Sequence, residues 1–197
     1  KPLADTIALV TGASRGVGRG IAHELGLAGA TVYVTGRSRG SGTGTEQLPG
    51  TVDDTARLVS ESGGQGLALA CDHTDDAAVA ALAEAIGAGH GRLDLLVNNV
   101  WGGYEQYDPR LFQQPPWEQP LWRWDKMFAT GLRAHYATTR ALLPLLLGSP
   151  LKLIVEVSSG DDGKFLGDIQ YDVVKAACDR LAFALARRLR REGITAL

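Results

Sequence analysis

Tyr171 and Lys175 stand four residues apart at the start of a strongly helical stretch, which puts both on one face, one turn apart. A phenol with an ordinary pKa of about 10 is a poor acid or base at neutral pH, but a neighbouring ammonium favours the phenolate and draws it toward the working range. A Tyr-x3-Lys pair alone is common on any helix. Twelve and thirteen residues upstream, however, Ser159 and Ser158 follow the apolar run Leu153-Ile154-Val155-Glu156-Val157. A hydroxyl at the carboxyl end of such a strand can hydrogen-bond a substrate carbonyl oxygen. The chemistry these residues suit is proton transfer to or from an oxygen.

A third group lies near the amino end, where Ile7-Ala8-Leu9-Val10 runs into Thr11-Gly12-Ala13-Ser14-Arg15-Gly16-Val17-Gly18 and then a helical pattern. Gly12 permits a sharp turn, Gly16 lets backbone amides approach a diphosphate, and Gly18 lets helix and strand pack closely. The helix start adds unsatisfied N–H groups and a partial positive charge for the anion. Gly12, Ser14, Arg15, Gly16, Val17 and Gly18 are therefore candidate dinucleotide contacts.

Short apolar runs at Ile7–Val10, Thr31–Thr35, Gly66–Cys71, Leu93–Val97 and Leu151–Val157 read as strands. Between them lie helical patterns at Gly16–Ala28, Val52–Ser62, Asp75–Ala88, Trp124–Leu147 and Tyr171–Glu192. Continuous Val, Ile and Leu mark strands buried on both faces, and strand-helix alternation specifies a parallel sheet with right-handed crossovers. The fold class is α/β, a Rossmann-type doubly wound parallel sheet with helices on both faces. Ser38–Gly50 and the Pro- and aromatic-rich segment Trp101–Trp122 read as loops, the latter an insert at about 101–123 in one nucleotide-binding domain over 1–197. A further strand begins at Gly193-Ile194-Thr195, so the C-terminal strands are expected beyond Leu197.

Lys and Arg total 20 against 22 Asp and Glu, a balance that gives no field for nucleic acid or an anionic membrane. The arginines at 187, 188, 190 and 191 read as a solvated helix C-terminus. No apolar run reaches membrane-spanning length, and the two separated cysteines, Cys71 and Cys178, point to a reducing, cytoplasmic compartment. Asp53-Asp54 and Asp75-Asp76 sit at helix starts as caps. Asp161-Asp162 lies near the serines, but with His23, His73, His90 and His135 scattered no metal site is expected.

The Gly-x3-Gly-x-Gly turn, the serine pair and Tyr171-x3-Lys175 together resemble the short-chain dehydrogenase/reductase family along the whole chain. The resemblance implies an oxidoreductase passing hydride between a nicotinamide cofactor and a carbonyl or alcohol carbon. It makes Tyr171 the acid/base and gives Lys175 the tasks of lowering its pKa and binding the nicotinamide ribose. The family's usual interval picks Ser158 as the assisting hydroxyl; alignment of the strand end picks Ser159, which we favour. Asp72, with His73 beside it, matches an adenine-contacting acid. Asn98-Asn99-Val100-Trp101-Gly102 matches, in altered form, an Asn-Asn-Ala-Gly motif lining the adenine ribose. A second departure is Gly131, aligned where the family carries a helix asparagine that holds a relay water; Thr130 is a candidate to rebuild it. Thr35-Gly36-Arg37, the aromatic insert, Gly131-Leu132-Arg133 and Lys175-Ala176-Ala177-Cys178-Asp179 resemble the dehydrogenase/reductase member 1 subgroup. Gly36 stands where an acid would accept ribose hydroxyls, and Arg37 with Arg15 suits a 2′-phosphate, so NADP is favoured over NAD; Arg39 can substitute for either arginine. Tyr104, Tyr107, Phe112 and Trp117 of the insert suit either a lid or packing. Homodimers or homotetramers are also implied. Gly131 and the altered asparagine motif motivate a second reading, a cofactor-binding sensor or scaffold with little turnover.

Overall fold

Alternate side chains of each strand must find apolar cover on opposite sides, and the helices supply it. The computed structural model describes residues 1–40, 48–105, 108, 110–111, 114–159, 164–165 and 167–197. Its elements are β1 (Ile7–Val10), α1 (Gly16–Leu27), β2 (Thr31–Gly36), α2 (Val52–Glu61), β3 (Gln65–Ala70), α3 (Asp76–His90) and β4 (Leu95–Asn98). There follow α4 (Leu121–Phe128), a π turn (Ala129–Arg133), α5 (Ala134–Leu147), β5 (Leu153–Glu156), α6 (Ile169–Leu189), a 3-10 turn (Arg190–Glu192) and β6 (Thr195–Ala196). The six strands form one parallel sheet in the order β3-β2-β1-β4-β5-β6. Because β2 and β4 both flank β1, the crossovers reverse direction there and open a crevice at the strands' carboxyl ends, where ligands bind in such sheets.

Parity along the strands sorts the core. Leu9, Tyr33, Leu96 and Ile154 face one side, where α3, α5 and α6 cover them with Val79, Leu82, Ile86, Leu142, Leu146 and Leu185. Ala8, Val10, Val32, Val34, Leu95 and Val97 face the other, against Ala22, Ala56 and Val59 of α1 and α2. This two-sided burial is why the strands read as unbroken apolar runs.

Helix starts follow their capping residues. Thr51 Oγ1 accepts from the Asp54 amide at α2, and Asp75 accepts from the Ala77 and Ala78 amides at α3, as expected for caps. The continuous helix expected over Trp124–Leu147 is a correction: it begins at Leu121, inside the segment read as a loop, and a π turn centred on Gly131 interrupts it. Glycine holds a helix weakly, and the Gly131 carbonyl accepts from the Cys178 thiol at 3.1 Å. The π turn sits beside the crevice, a frequent place for such bulges.

The start of α6 is held from two directions. Asp168 accepts from the Tyr171 amide at 3.0 Å and from Arg123 of α4 at 2.7 Å, an ion pair buried on both sides. Asp168→Ala removes the cap and the buried ion pair with Arg123. Its expected cost is about 3–5 kcal/mol, read by chemical denaturation, because a broken buried pair strands a charge.

Candidate active site

α2, α3 and α6 begin on a side-chain cap, but α1 does not: Arg15 precedes it in extended conformation and makes no side-chain cap hydrogen bond, and no acid lies in its first turn. Gly12 (φ +62°) and Gly16 (φ +56°) are left-handed, so the turn between β1 and α1 presents backbone N–H groups outward. A side chain at Gly12 would meet the Val100 backbone at 2.7 Å. One at Gly18 would meet Asn99 and the Gly12 carbonyl, so close packing excludes both. Gly16 is different: it is exposed, a Cβ there meets nothing, and its requirement is the backbone angle alone. Asn99 fastens the turn, donating from Nδ2 to the carbonyls of Thr11 (2.9 Å) and Gly12 (3.0 Å), while Thr11 Oγ1 accepts from the amides of Asn99 and Val100.

A crevice of about 500 Å³ opens over this turn. Its walls bring together Gly12, Ser14, Arg15, Val17, Gly18, Arg37, Asp72, His73, Val100, Ser158, Tyr171 and Lys175 of the sequence candidates. Asn98 is a correction. As the last residue of β4 it shares the parity of Leu96, points toward α5, and donates to Thr139 (2.9 Å) and Glu156 (2.7 Å) beneath the crevice. Its neighbour Asn99 lines the wall instead. The serines divide similarly. Ser158 lines the crevice and donates to the Lys175 carbonyl at 3.1 Å, whereas Ser159 Oγ is enclosed and makes no hydrogen bond among the described residues.

At the β2 end no acid follows Gly36. Arg15 reaches Ser38 Oγ at 3.4 Å, and exposed Arg37 lies near Asp72. Asp72 accepts from the Thr74 amide and hydroxyl; burial works against its charge, yet these bonds and Arg37 hold its carboxyl below the usual range. Arg39 is engaged elsewhere, in a two-bond pair with Asp53, and is absent from the wall. His73 is buried between the Thr35 and Thr138 hydroxyls; burial, helped by the charge on His135, pushes its pKa down to about 4, so it is neutral.

At the other end, Tyr171 and Lys175 both face the crevice, with Lys175 Nζ 5.8 Å from the phenol ring. Lys175 Nζ donates to the Val157 carbonyl at 3.1 Å. Burial lowers its pKa, against the pull of Cys178, Asp179 and Glu156. From the insert, Trp101, Tyr104 and Glu105 line the wall, with Thr130 beside Gly102. Trp117, expected as lid or packing, is 83% exposed and does not line the crevice. Tyr107, Phe112 and Asp161-Asp162 lie outside the described residues. Among those described, no three metal-ligating side chains come together.

Residues 6–197 match the short chain dehydrogenase family. The chain belongs to that family. It is 37% identical over 195 residues to the human "Dehydrogenase/reductase SDR family member 1", covering 98% of this chain and 59% of that protein. It therefore spans about three fifths of that relative's length. With the 3-oxoacyl-[acyl-carrier-protein] reductase FabG of Escherichia coli it shares 30% identity over 191 residues, 96% of this chain and 69% of the relative. A solved metagenomic short-chain oxidoreductase in complex with NADP superposes with a TM-score of 0.80 at 31% identity, covering 98% of this chain and 80% of that one.

Beneath this short-chain dehydrogenase crevice lies a network that the sequence did not announce, because its members are far apart in the chain. His135 Nδ1 lies 2.7 Å from Glu156 Oε2, and Nε2 lies 2.8 Å from the Val100 carbonyl. A carboxylate and a carbonyl only accept, so the ring carries both protons. Burial opposes that charge, but Cys178, Glu156 and the Val100 carbonyl outweigh it and raise the His135 pKa to about 9. Its folded pKa exceeds the ordinary 6.5. The stabilisation is thus complete below about pH 6.5 and fades as pH rises toward 9. Denaturation midpoints are expected to fall across that window, and His135→Gln, already lacking the charge, is expected to flatten the fall.

Proposed function

We propose that this chain is the nucleotide-binding domain of an NADP(H)-dependent oxidoreductase that interconverts a carbonyl and an alcohol. The observation that carries the reading is the meeting, in one crevice, of an uncapped helix N-terminus with the Tyr171–Lys175 pair. A diphosphate suits the α1 start, which has no side-chain cap and where two close-packed glycines leave room for the approach. The adenosine end then lies toward Gly36, Arg37 and Asp72. With no acid at the β2 end to repel it, a 2′-phosphate would be gripped by Arg15 and Arg37. NAD is the alternative cofactor. The nicotinamide end would lie against Val100, Tyr171 and Lys175.

The bound cofactor supplies or accepts hydride. This chain's own residues handle the oxygen. Tyr171 gives its phenolic proton to the carbonyl oxygen in reduction and takes it back in oxidation. The Lys175 ammonium favours the phenolate left behind and binds the ribose. Ser158, whose hydroxyl now serves the Lys175 carbonyl, orients the substrate oxygen once that hydroxyl rotates toward the crevice. Trp101 and Tyr104 give the reacting end an apolar wall that excludes water and suits a hydrophobic carbonyl compound. The second reading, a cofactor sensor or scaffold with little turnover, draws on Gly131, which brings no side chain to a relay.

An apolar groove lined by Phe128, Leu132, Tyr136, Leu181 and Ala184 runs along α4 to α6. We infer that a second copy covers it, giving a homodimer or homotetramer. No helix of the described residues is long and apolar enough to cross a membrane. Both cysteines are free and buried, which supports a reducing, cytoplasmic setting.

NADPH absorbance followed against a panel of ketones and aldehydes tests the reaction: saturable oxidation is expected, with Tyr171→Phe lowering kcat by about 10²–10⁴. NADPH-dependent thermal stabilisation without turnover on any substrate would favour the sensor. For Arg37→Asp, NADPH binding is expected to weaken by roughly 10- to 100-fold, as lost charge-assisted bonds imply. NADH binding should change far less; equal losses would remove Arg37 from the phosphate site.

A further inference from the structure

The two departures from the family pattern, a tryptophan at 101 and a glycine at 131, meet in space. The Trp101 ring lies on the bare Cα of Gly131: a Cβ there would sit 2.5 Å from Cζ3 and 2.7 Å from Cε3. The same ring touches both members of the pair above it. Its centroid is 5.3 Å from that of Tyr171, edge to face at 74°, and 4.2 Å from Lys175 Nζ. Trp101 also packs with Met127, Val174 and Cys178, the apolar cluster under the start of α6. The π turn brings Gly131 to the ring, with the Cys178 thiol on its carbonyl.

We propose that Trp101 is the positioning residue of the Tyr171–Lys175 pair: it occupies the space of a side chain at 131, fixes the phenol by its edge contact, and supports the Lys175 ammonium with its ring. An aromatic face attracts a cation, most strongly when both are removed from water. Burial works against the charge on Lys175, and the ring offsets it. The other groups around this ammonium are Glu156 from β5 and Tyr171, Cys178 and Asp179 from α6, and Tyr104 packs with the Trp101 ring cluster. Because Trp101 fills the volume beside Gly131, a water-holding side chain has no room there. The proton that Tyr171 gives away must then be replaced from the open side of the crevice. This inference rests on the proposed function for its catalytic meaning, but its geometry is testable without substrate or cofactor.

The chain has five lysines, so ¹³Cε-lysine NMR with Lys175→Arg for assignment reads the Lys175 pKa directly. Trp101→Leu, which keeps apolar bulk without a π face, is expected to lower that pKa by about half a unit to one unit, and Trp101→Phe by less. Thermal melting supplies the second readout. Gly131→Ala should lower Tm by roughly 3–10 °C through overpacking. The Gly131→Ala/Trp101→Ala double variant should lose clearly less than the sum of the single losses. An unchanged Lys175 pKa in Trp101→Leu, or strictly additive Tm losses, would overturn the proposal. Full activity in Tyr171→Phe would instead sink the functional reading, leaving both of these readouts as they stand.

Discussion

A helix that starts without a side-chain cap leaves its first N–H groups to an acceptor from outside itself, and α1, where Arg15 makes no cap hydrogen bond, is such a helix. Its N-terminus opens at the point where the sheet order reverses, between β1 and β4. Side chains at Gly12 and Gly18 would run into Val100, Asn99 and the turn's own backbone. Asn99 and Thr11 close the other side with four hydrogen bonds between the turn and the end of β4. The proposed function makes this fastened turn the cradle for an anion. The remaining parts of the crevice take their meaning from their position around it.

The reacting end is anchored by burial of a different kind. Asp168 ties the first turn of α6 to Arg123, so the helix bearing Tyr171 and Lys175 is fixed to the element that follows the aromatic insert. Below, the charged His135 links β5 to the Val100 carbonyl, the wall residue next to Trp101. The reacting end therefore hangs on buried polar contacts whose partners come from different elements. Such networks specify one arrangement when fully satisfied and are costly when broken.

The sheet, its parallel sense and the family were legible because they follow from local pattern: unbroken apolar strands, helical spacing, and a glycine turn between the first strand and helix. Single-residue parity was harder to read. Asn98 and Asn99 are chemically identical, and only the end of β4 decides which of them turns under the sheet. The same uncertainty of one residue governs Ser158 and Ser159 after β5. The π turn escaped because a glycine in a helical pattern reads as mere weakness until the ring it accommodates is seen. Nor does anything local connect His135 to Glu156, 21 residues away, although Glu156 is an ionisable residue in an apolar strand. Trp101 and Gly131 were each visible as departures, but not as a contact.

The most direct measurement is a crystal structure of the chain with NADPH bound. The account predicts the diphosphate accepting hydrogen bonds from main-chain N–H groups at the start of α1, the 2′-phosphate beside Arg15 and Arg37, and the nicotinamide ribose against Lys175. A dinucleotide bound away from the glycine turn, or running in reverse with its nicotinamide beside Arg37, would contradict it.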